Sequence, residues 1–158
     1  MKQQLLHQRK RSKKSKSDEW WTPKEFISDA EKEHGMQFEV DVACTWKNCQ
    51  CMTGLTTALK DDWNVKSFYG KRKWGDVWCN PPHSMTDDFV SRGEAQHLKH
   101  GMRIMMIVPA NYGSTRIFHK YIEGKREYHF VEGRPKFLKH GLPSPSSSRN
   151  SYIVILWK

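Results

Sequence analysis

The run of residues best suited to chemistry is Asn80-Pro81-Pro82-His83, which follows the short apolar segment 76–79. Two consecutive prolines end any regular element, so the run is expected to form a rigid loop. The Asn80 side-chain oxygen and the Pro81 carbonyl can accept the two N–H bonds of a planar amine, which localises its lone pair and aims it at a methyl donor. The His83 ring can stack on the same planar group. The run predicts methyl transfer to an sp2-attached nitrogen; a Pro-Pro turn after an edge strand is the alternative.

The elements that must position this loop alternate between strand-like and helix-like patterns. A helix is predicted with Thr22 as its N-cap and Pro23 at its first position, ending near Gly35. The other predicted elements are strands 38–42, 76–79, 103–108, 128–131 and 152–157 and helices 85–99 and 114–122. The second helix is expected to bury Leu98, and residues 132–151 to form a loop. The alternation predicts an α/β domain with a mostly parallel sheet, whose ligands bind at the carboxyl ends of the strands.

Positive charge is concentrated at the N-terminus. Residues 1–17 hold seven of the 27 Lys and Arg residues and no acid. We expect a disordered basic tail over 1–17, followed by one domain over 18–158. The tail is either a solubility or localisation-like segment or an electrostatic arm for nucleic acid. The candidate nucleic-acid-binding residues lie in this tail and in the basic loop 64–75: Arg9, Lys10, Arg11, Lys13, Lys14, Lys16, Lys71, Arg72 and Lys73.

The four cysteines are expected to be reduced thiols. The N-terminus lacks the apolar stretch of a secretory signal, and the longest apolar run, 104–108, is too short to span a bilayer. We therefore expect a cytoplasmic protein with no membrane partner and no disulfide framework. The cysteine spacing C-x4-C-x-C is not a common paired zinc motif and no second pair follows, so no metal site is expected.

Several runs, taken in order, resemble the phage-type, Dam-like DNA N6-adenine methyltransferases. They cover 18–157 and are Asp18-x-Trp20-x-Thr22-Pro23, Asp41-Val42-Ala43-Cys44, Asp61-Asp62-Trp63, Trp78-Cys79-Asn80-Pro81-Pro82-His83, Val108-Pro109-Ala110, Gly133-Arg134-Pro135-Lys136-Phe137 and Pro143-Ser144-Pro145-Ser146. The resemblance implies S-adenosylmethionine as cofactor, and double-stranded DNA with a flipped-out target base as substrate. It also implies a Rossmann-like methyltransferase fold, with a mostly parallel central sheet and an antiparallel closing strand. A viral member would act in the host cytoplasm.

The resemblance also implies which residues contact the cofactor. Thr22 and Pro23 would touch its methionine end, beside Asp41 and Ala43 at the end of the first strand. Asp62 or its neighbour Asp61 would accept from the adenine amine, with Trp63 against the adenine ring; a division of the ribose and adenine contacts between the two acids is left open. The alternatives are helix capping for Thr22, a solvent-facing strand position for Asp41 and a solvated charge pair for 61–62. Phe137 could lie near the target base, although core packing is favoured.

Two departures from the usual pattern stand out. The segment 41–47 contains no glycine where many methyltransferases have a Gly-rich turn, and His83 stands where tyrosine or phenylalanine is more usual. A protonated imidazole would place a charge beside the amine, so activity is expected to fall below about pH 6.5. Alternative functions are methylation of RNA adenine or of protein glutamine, or a degenerate domain that only binds nucleic acid.

Overall fold

The computed structural model describes residues 20–56, 58–63, 75–143 and 150–158. The predicted basic tail and the loop residues Lys71, Arg72 and Lys73 lie outside the described residues. Within the described ranges, no helix has the length and apolar character needed to cross a membrane.

The chain folds as a mixed α/β structure with a six-stranded sheet of order β3-β2-β4-β5-β9-β6 and a small sheet of order β1-β7-β8. The strands are β1 (Trp20–Trp21), β2 (Phe38–Asp41), β3 (Thr53–Gly54), β4 (Asp76–Cys79), β5 (Ile104–Pro109), β6 (Glu127–Phe130), β7 (Leu138–Lys139), β8 (Leu142–Pro143) and β9 (Tyr152–Trp157). The helices are α1 (Lys24–His34), α2 (Thr86–His100) and α3 (Arg116–Tyr121).

Strand direction in the large sheet follows from the connections. β3, β2, β4 and β5 are parallel neighbours, whereas β9 runs antiparallel to both β5 and β6. The predicted largely parallel sheet is therefore confirmed. In the β2–β4 register Asp41 lies opposite Trp78, so the segments that leave these two strands start side by side at one edge of the sheet.

The sheet is covered on both faces because its strands carry apolar side chains on both. Along β5, Ile104 and Met106 pack under α2 and α3, whereas Met105 and Ile107 pack against α1. All four are at most 1% exposed, as expected for a strand buried on both faces.

Three sequence expectations need correction. α1 begins at Lys24 with Pro23 as its N-cap and no side-chain cap, because the Thr22 hydroxyl is bonded elsewhere. Leu98 is 70% exposed, since it lies near the C-terminal end of α2 on the face turned away from the sheet. The predicted loop 132–151 contains β7 and β8; β7 pairs with β1 on one side and with β8 on the other to form the small sheet.

A buried ion pair joins α2 to the antiparallel side of the sheet. Glu94 accepts two hydrogen bonds from the Arg126 guanidinium, at 2.9 and 2.7 Å, and one from the Trp157 indole N–H at 2.8 Å. Burial acts to raise the pKa of Glu94, but these hydrogen bonds outweigh it and hold the pKa below its ordinary value. Glu94 therefore stays ionised inside the structure.

Replacing Glu94 with Gln is expected to lower the free energy of unfolding by about 2 kcal/mol at neutral pH, because charged hydrogen bonds become neutral ones. Since the folded pKa is depressed, the carboxylate contributes fully above the unfolded pKa of about 4.3 and loses its contribution as pH falls through the folded pKa. Urea unfolding of both proteins from neutral pH downward checks this. The difference between the two free energies of unfolding should become smaller in acid. A difference that grows in acid would contradict the stabilising role of the Glu94 carboxylate.

Candidate active site

Asn80 directly follows β4 and is held by the segment that precedes α1. Its Nδ2 donates to the Thr22 hydroxyl at 3.0 Å and to the Trp20 carbonyl at 3.4 Å. A carbonyl oxygen can only accept, so the NH2 end of the amide must face Trp20. The amide oxygen then has no partner among the described residues and is available as an acceptor.

The two prolines give this loop a fixed shape. Pro81 and Pro82 are buried, and every peptide bond in the described residues is trans. The Pro82 carbonyl accepts from the Met85 N–H at 2.8 Å, which closes a 3-10 turn over His83–Met85. The Pro81 carbonyl forms no hydrogen bond with the described part of the chain, so it can serve as a second acceptor.

His83 is half-buried at the start of this turn. Its ring lies 6.1 Å from the Tyr152 ring, centroid to centroid, at a tilt of 50°. It also lines a small cavity of about 210 Å³ together with Pro109, Asn111 and Asn150. The imidazole therefore borders a second cavity, which shares no lining residue with the main pocket.

The main pocket opens at the carboxyl ends of β2 and β4. It has a volume of about 560 Å³, and one wall is the segment 42–46. The opposite wall consists of residues near the start of α2, including Met85 and Phe89, and Pro82 brings the Asn-Pro-Pro-His loop to its edge. This size is typical of small-molecule sites.

The turn after β2 is shaped by Asp41 rather than by glycine. Asp41 Oδ1 accepts from the Ala43 N–H at 3.1 Å, and Oδ2 accepts from the Gln50 N–H at 3.0 Å. Burial raises the pKa of Asp41 to about 6, although both backbone hydrogen bonds act in the opposite direction. Asn48 continues the pattern, since its Oδ1 accepts from the N–H and hydroxyl of Thr45. The side-chain oxygens of Asp41 and Asn48 thus accept hydrogen bonds from backbone N–H groups in a turn that contains no glycine.

The structure separates the sequence-predicted cofactor residues into two groups. Thr22 lies beside Asn80, and Ala43 lines the main pocket. Asp61, Asp62 and Trp63 do not line that pocket. The Asp62 carboxylate instead pairs with Lys99 and His100 at the end of α2.

Trp63 lies in the core. Its side chain is completely buried, its indole N–H donates to the Ala58 carbonyl at 2.8 Å, and its backbone N–H donates to the Gln96 side chain. A contact with an adenine ring would require this side chain to leave the core. The exposed tryptophan at the pocket is Trp46, which lines the wall and is 85% exposed.

Phe137 packs in the core, as favoured from the sequence. It is 3% exposed and its ring meets Tyr152 edge-on at 4.9 Å. The sequence did not indicate that the strand containing Trp20 would be held by β7. A two-residue strand has too little pattern to be recognised, and its pairing partner lies more than 100 residues away.

Fold and site together define a class: a mixed α/β domain with a small-molecule pocket at the carboxyl ends of parallel strands and an Asn-Pro-Pro-His loop at its edge. The chain belongs to the DNA N-6-adenine-methyltransferase (Dam) family, whose model matches residues 9–158.

Two curated relatives carry the name DNA N-6-adenine-methyltransferase. One, from Escherichia phage T1, is 33% identical over 115 residues, which cover 73% of this chain and 45% of the relative. The other, from Haemophilus phage HP1 (strain HP1c1), is 26% identical over 123 residues, 76% of this chain and 65% of the relative. The chain thus spans about half to two thirds of the length of these relatives.

The packing beneath the pocket wall leads to a paired stability prediction. A Cβ atom at Gly54 would lie 2.7 Å from the Sγ atoms of both Cys44 and Cys49, whereas one at Gly93 would meet its neighbours at 3.5 Å or more. Gly54→Ala should therefore lower the free energy of unfolding by about 1–3 kcal/mol. Gly93→Ala, inside α2, should be neutral or stabilising by up to about 1 kcal/mol. Urea unfolding measures both, and equal effects would contradict the packing shown here.

Proposed function

We propose that this chain transfers a methyl group from S-adenosylmethionine to the N6 amine of adenine in DNA. The observation that carries the proposal is the Asn80 amide, whose NH2 end is held by Trp20 and Thr22 while its oxygen has no partner among the described residues. It belongs to the loop whose Pro82 lines the main pocket. Family membership implies the methyl donor, and the names of the two phage relatives support adenine in DNA as the acceptor.

The main pocket fits the proposed cofactor in size and character. A volume of about 560 Å³, with largely apolar walls, accommodates a nucleoside bearing an amino-acid side chain. The segment 42–46 would hold it on one side and Leu59 and Phe89 on the other. Its position at the carboxyl ends of parallel strands also supports our assignment of the fold to the Rossmann-like methyltransferases. Asp61 and Asp62 remain proposed ribose and adenine contacts, although both now lie outside the pocket lining.

The cofactor, when bound, supplies an electrophilic methyl group on a sulfonium. The protein's task is to present a weak nucleophile to it, because the amine lone pair of adenine is delocalised into the ring. The Asn80 oxygen and the Pro81 carbonyl each accept one N–H, which localises the lone pair and orients it. The amine need not lose a proton before attack, so no general base is required.

His83 would support the target base. It borders the second cavity, where a base withdrawn from the duplex would meet the imidazole face. Stacking on an aromatic side chain is worth roughly 1–3 kcal/mol per base. The second ring, Tyr152, is close enough to keep the imidazole in place.

Contacts with the DNA backbone are proposed for the basic tail, residues 1–17, and for Lys71, Arg72 and Lys73. Seven positive charges without an acid favour a polyanion over a protein substrate. RNA remains an alternative, because it carries the same adenine base and the same phosphate charge. We place the reaction in the cytoplasm, or in the host cytoplasm for a viral chain.

Asn80→Ala should lower single-turnover methylation of DNA by at least ~10²-fold, because one preorganised acceptor is lost. Cofactor affinity, measured by calorimetry, should change only a few-fold. Asn80→Asp keeps an acceptor oxygen, which the Thr22 hydroxyl can support by donating to it, so it should retain more activity than the Ala variant.

The matched substrates for this test are DNA, RNA of the same sequence and a glutamine-containing protein, each followed by detection of methylated product. Methylation of RNA or protein alone would contradict adenine in DNA. Near-normal turnover by Asn80→Ala would remove the proposed role of the amide, even if DNA is the substrate.

The role of His83 is tested by three variants. His83→Phe and His83→Tyr keep a flat ring and should retain substantial activity, without the expected loss in acid. His83→Ala should weaken substrate capture and raise the KM for DNA more than it lowers kcat. A Phe variant as inactive as Ala, with DNA binding intact, would mean that the imidazole moves a proton instead.

A further inference from the structure

Three metal-binding side chains meet beneath the pocket wall. One carboxylate oxygen of Asp41 and the Sγ atoms of Cys44 and Cys49 all lie within 4.8 Å of one another. In a tetrahedral zinc site with Zn–S bonds of about 2.3 Å, two sulfur ligands are roughly 3.8 Å apart. The three donors are therefore near the spacing that one ion requires, and small side-chain rotations would complete it.

The backbone around this group leaves room for the sulfur atoms. Gly54, at the end of β3, faces both thiols so closely that a Cβ there would lie 2.7 Å from each Sγ. The thiols also donate to nearby backbone carbonyls, Cys44 to that of Asp41 at 3.4 Å and Cys49 to that of Cys51 at 3.3 Å. The two sulfur atoms lie close to each other and to the Asp41 carboxylate.

The charge of the group is uncompensated in the described chain. Asp41 is 3% exposed, and its oxygens accept only from backbone N–H groups, with no Lys, Arg or His side chain in contact among the described residues. A carboxylate oxygen has two lone pairs, so each of these oxygens can still bind a metal. A divalent, thiophilic cation would compensate the charge of a buried carboxylate that lies beside two thiols.

We propose that Asp41, Cys44 and Cys49 bind a structural Zn²⁺ ion that holds the wall of the pocket. Two sulfur ligands and one oxygen favour zinc over magnesium or calcium, which prefer oxygen ligands alone. Binding releases the two thiol protons, and the fourth position is taken by water or by a further ligand. The sequence pattern is D-x2-C-x4-C, in which a carboxylate stands in place of the second cysteine pair.

The ion would connect the end of β2 to the segment 44–49, which carries Thr45 and Trp46 into the pocket. Zinc binding would thereby order the wall against which the proposed cofactor lies. Asp41 is also a predicted cofactor contact and Cys44 lines the pocket, but none of the three ligands is an acceptor of the target amine. Metal binding is therefore measured directly, without methylation as the readout.

The test uses the full chain, reduced and freed of metal by chelation. Titration with Co²⁺ should give one tetrahedral site per chain, with thiolate-to-cobalt charge transfer and intense d–d bands, and Zn²⁺ should displace the cobalt. Cys44→Ser and Cys49→Ser should each weaken binding at least ~100-fold, since the loss of even an outer-shell partner costs 10–100-fold. Thermal unfolding with and without Zn²⁺ provides a second readout that is independent of methylation.

Two matched controls locate the site. Cys51→Ala removes a neighbouring thiol outside the group. His129→Ala removes one donor from a second group of three among the described residues, Glu33, His34 and His129. Both variants should bind Co²⁺ as the parent does. A reduced parent chain that binds neither metal tighter than about micromolar would overturn the proposal, as would loss of binding in either control with Cys44→Ser unaffected.

Discussion

The geometry of the site depends on the hydrogen bonds between Asn80 and the segment Trp20–Thr22. They join residues about 60 positions apart in sequence, at 3.0 and 3.4 Å, and decide which end of the amide faces outward. Without them the amide could turn over and present N–H donors to an amine that needs acceptors. The small sheet holds this segment in place, because β1 is only two residues long and pairs with β7.

The pocket wall formed by residues 42–46 depends on a different constraint, the buried carboxylate of Asp41. A turn without glycine must still satisfy its backbone N–H groups, and Asp41 does so for Ala43 and Gln50. The same compact turn brings Cys44 and Cys49 together beside Gly54. The Asp41 carboxylate therefore both supports the turn in the pocket wall and supplies one donor of the proposed zinc site.

These two arrangements sit on a rigid support. The central strands are buried on both faces, and the Glu94 carboxylate fastens α2 to the sheet through Arg126 and Trp157. Since α2 begins directly after the Asn-Pro-Pro-His loop, fixing it also fixes the loop. The proposed functions need this stiffness, because preorganised acceptors lose their advantage if they move by even about 1 Å.

Local patterns determined much of this protein. Local signals include the continuous apolar runs of β5 and β9, Gly35 at the end of α1 and the two prolines after β4. Each acts over a few residues, so it can be recognised from the sequence. The tertiary structure decided the rest. Trp63 is in the core and Thr22 is bonded to Asn80, because burial and pairing depend on neighbours distant in sequence. Sequence spacing also cannot show that Asp41, Cys44 and Cys49 lie together. The chain must first fold back through β3, which places Gly54 against the two thiols.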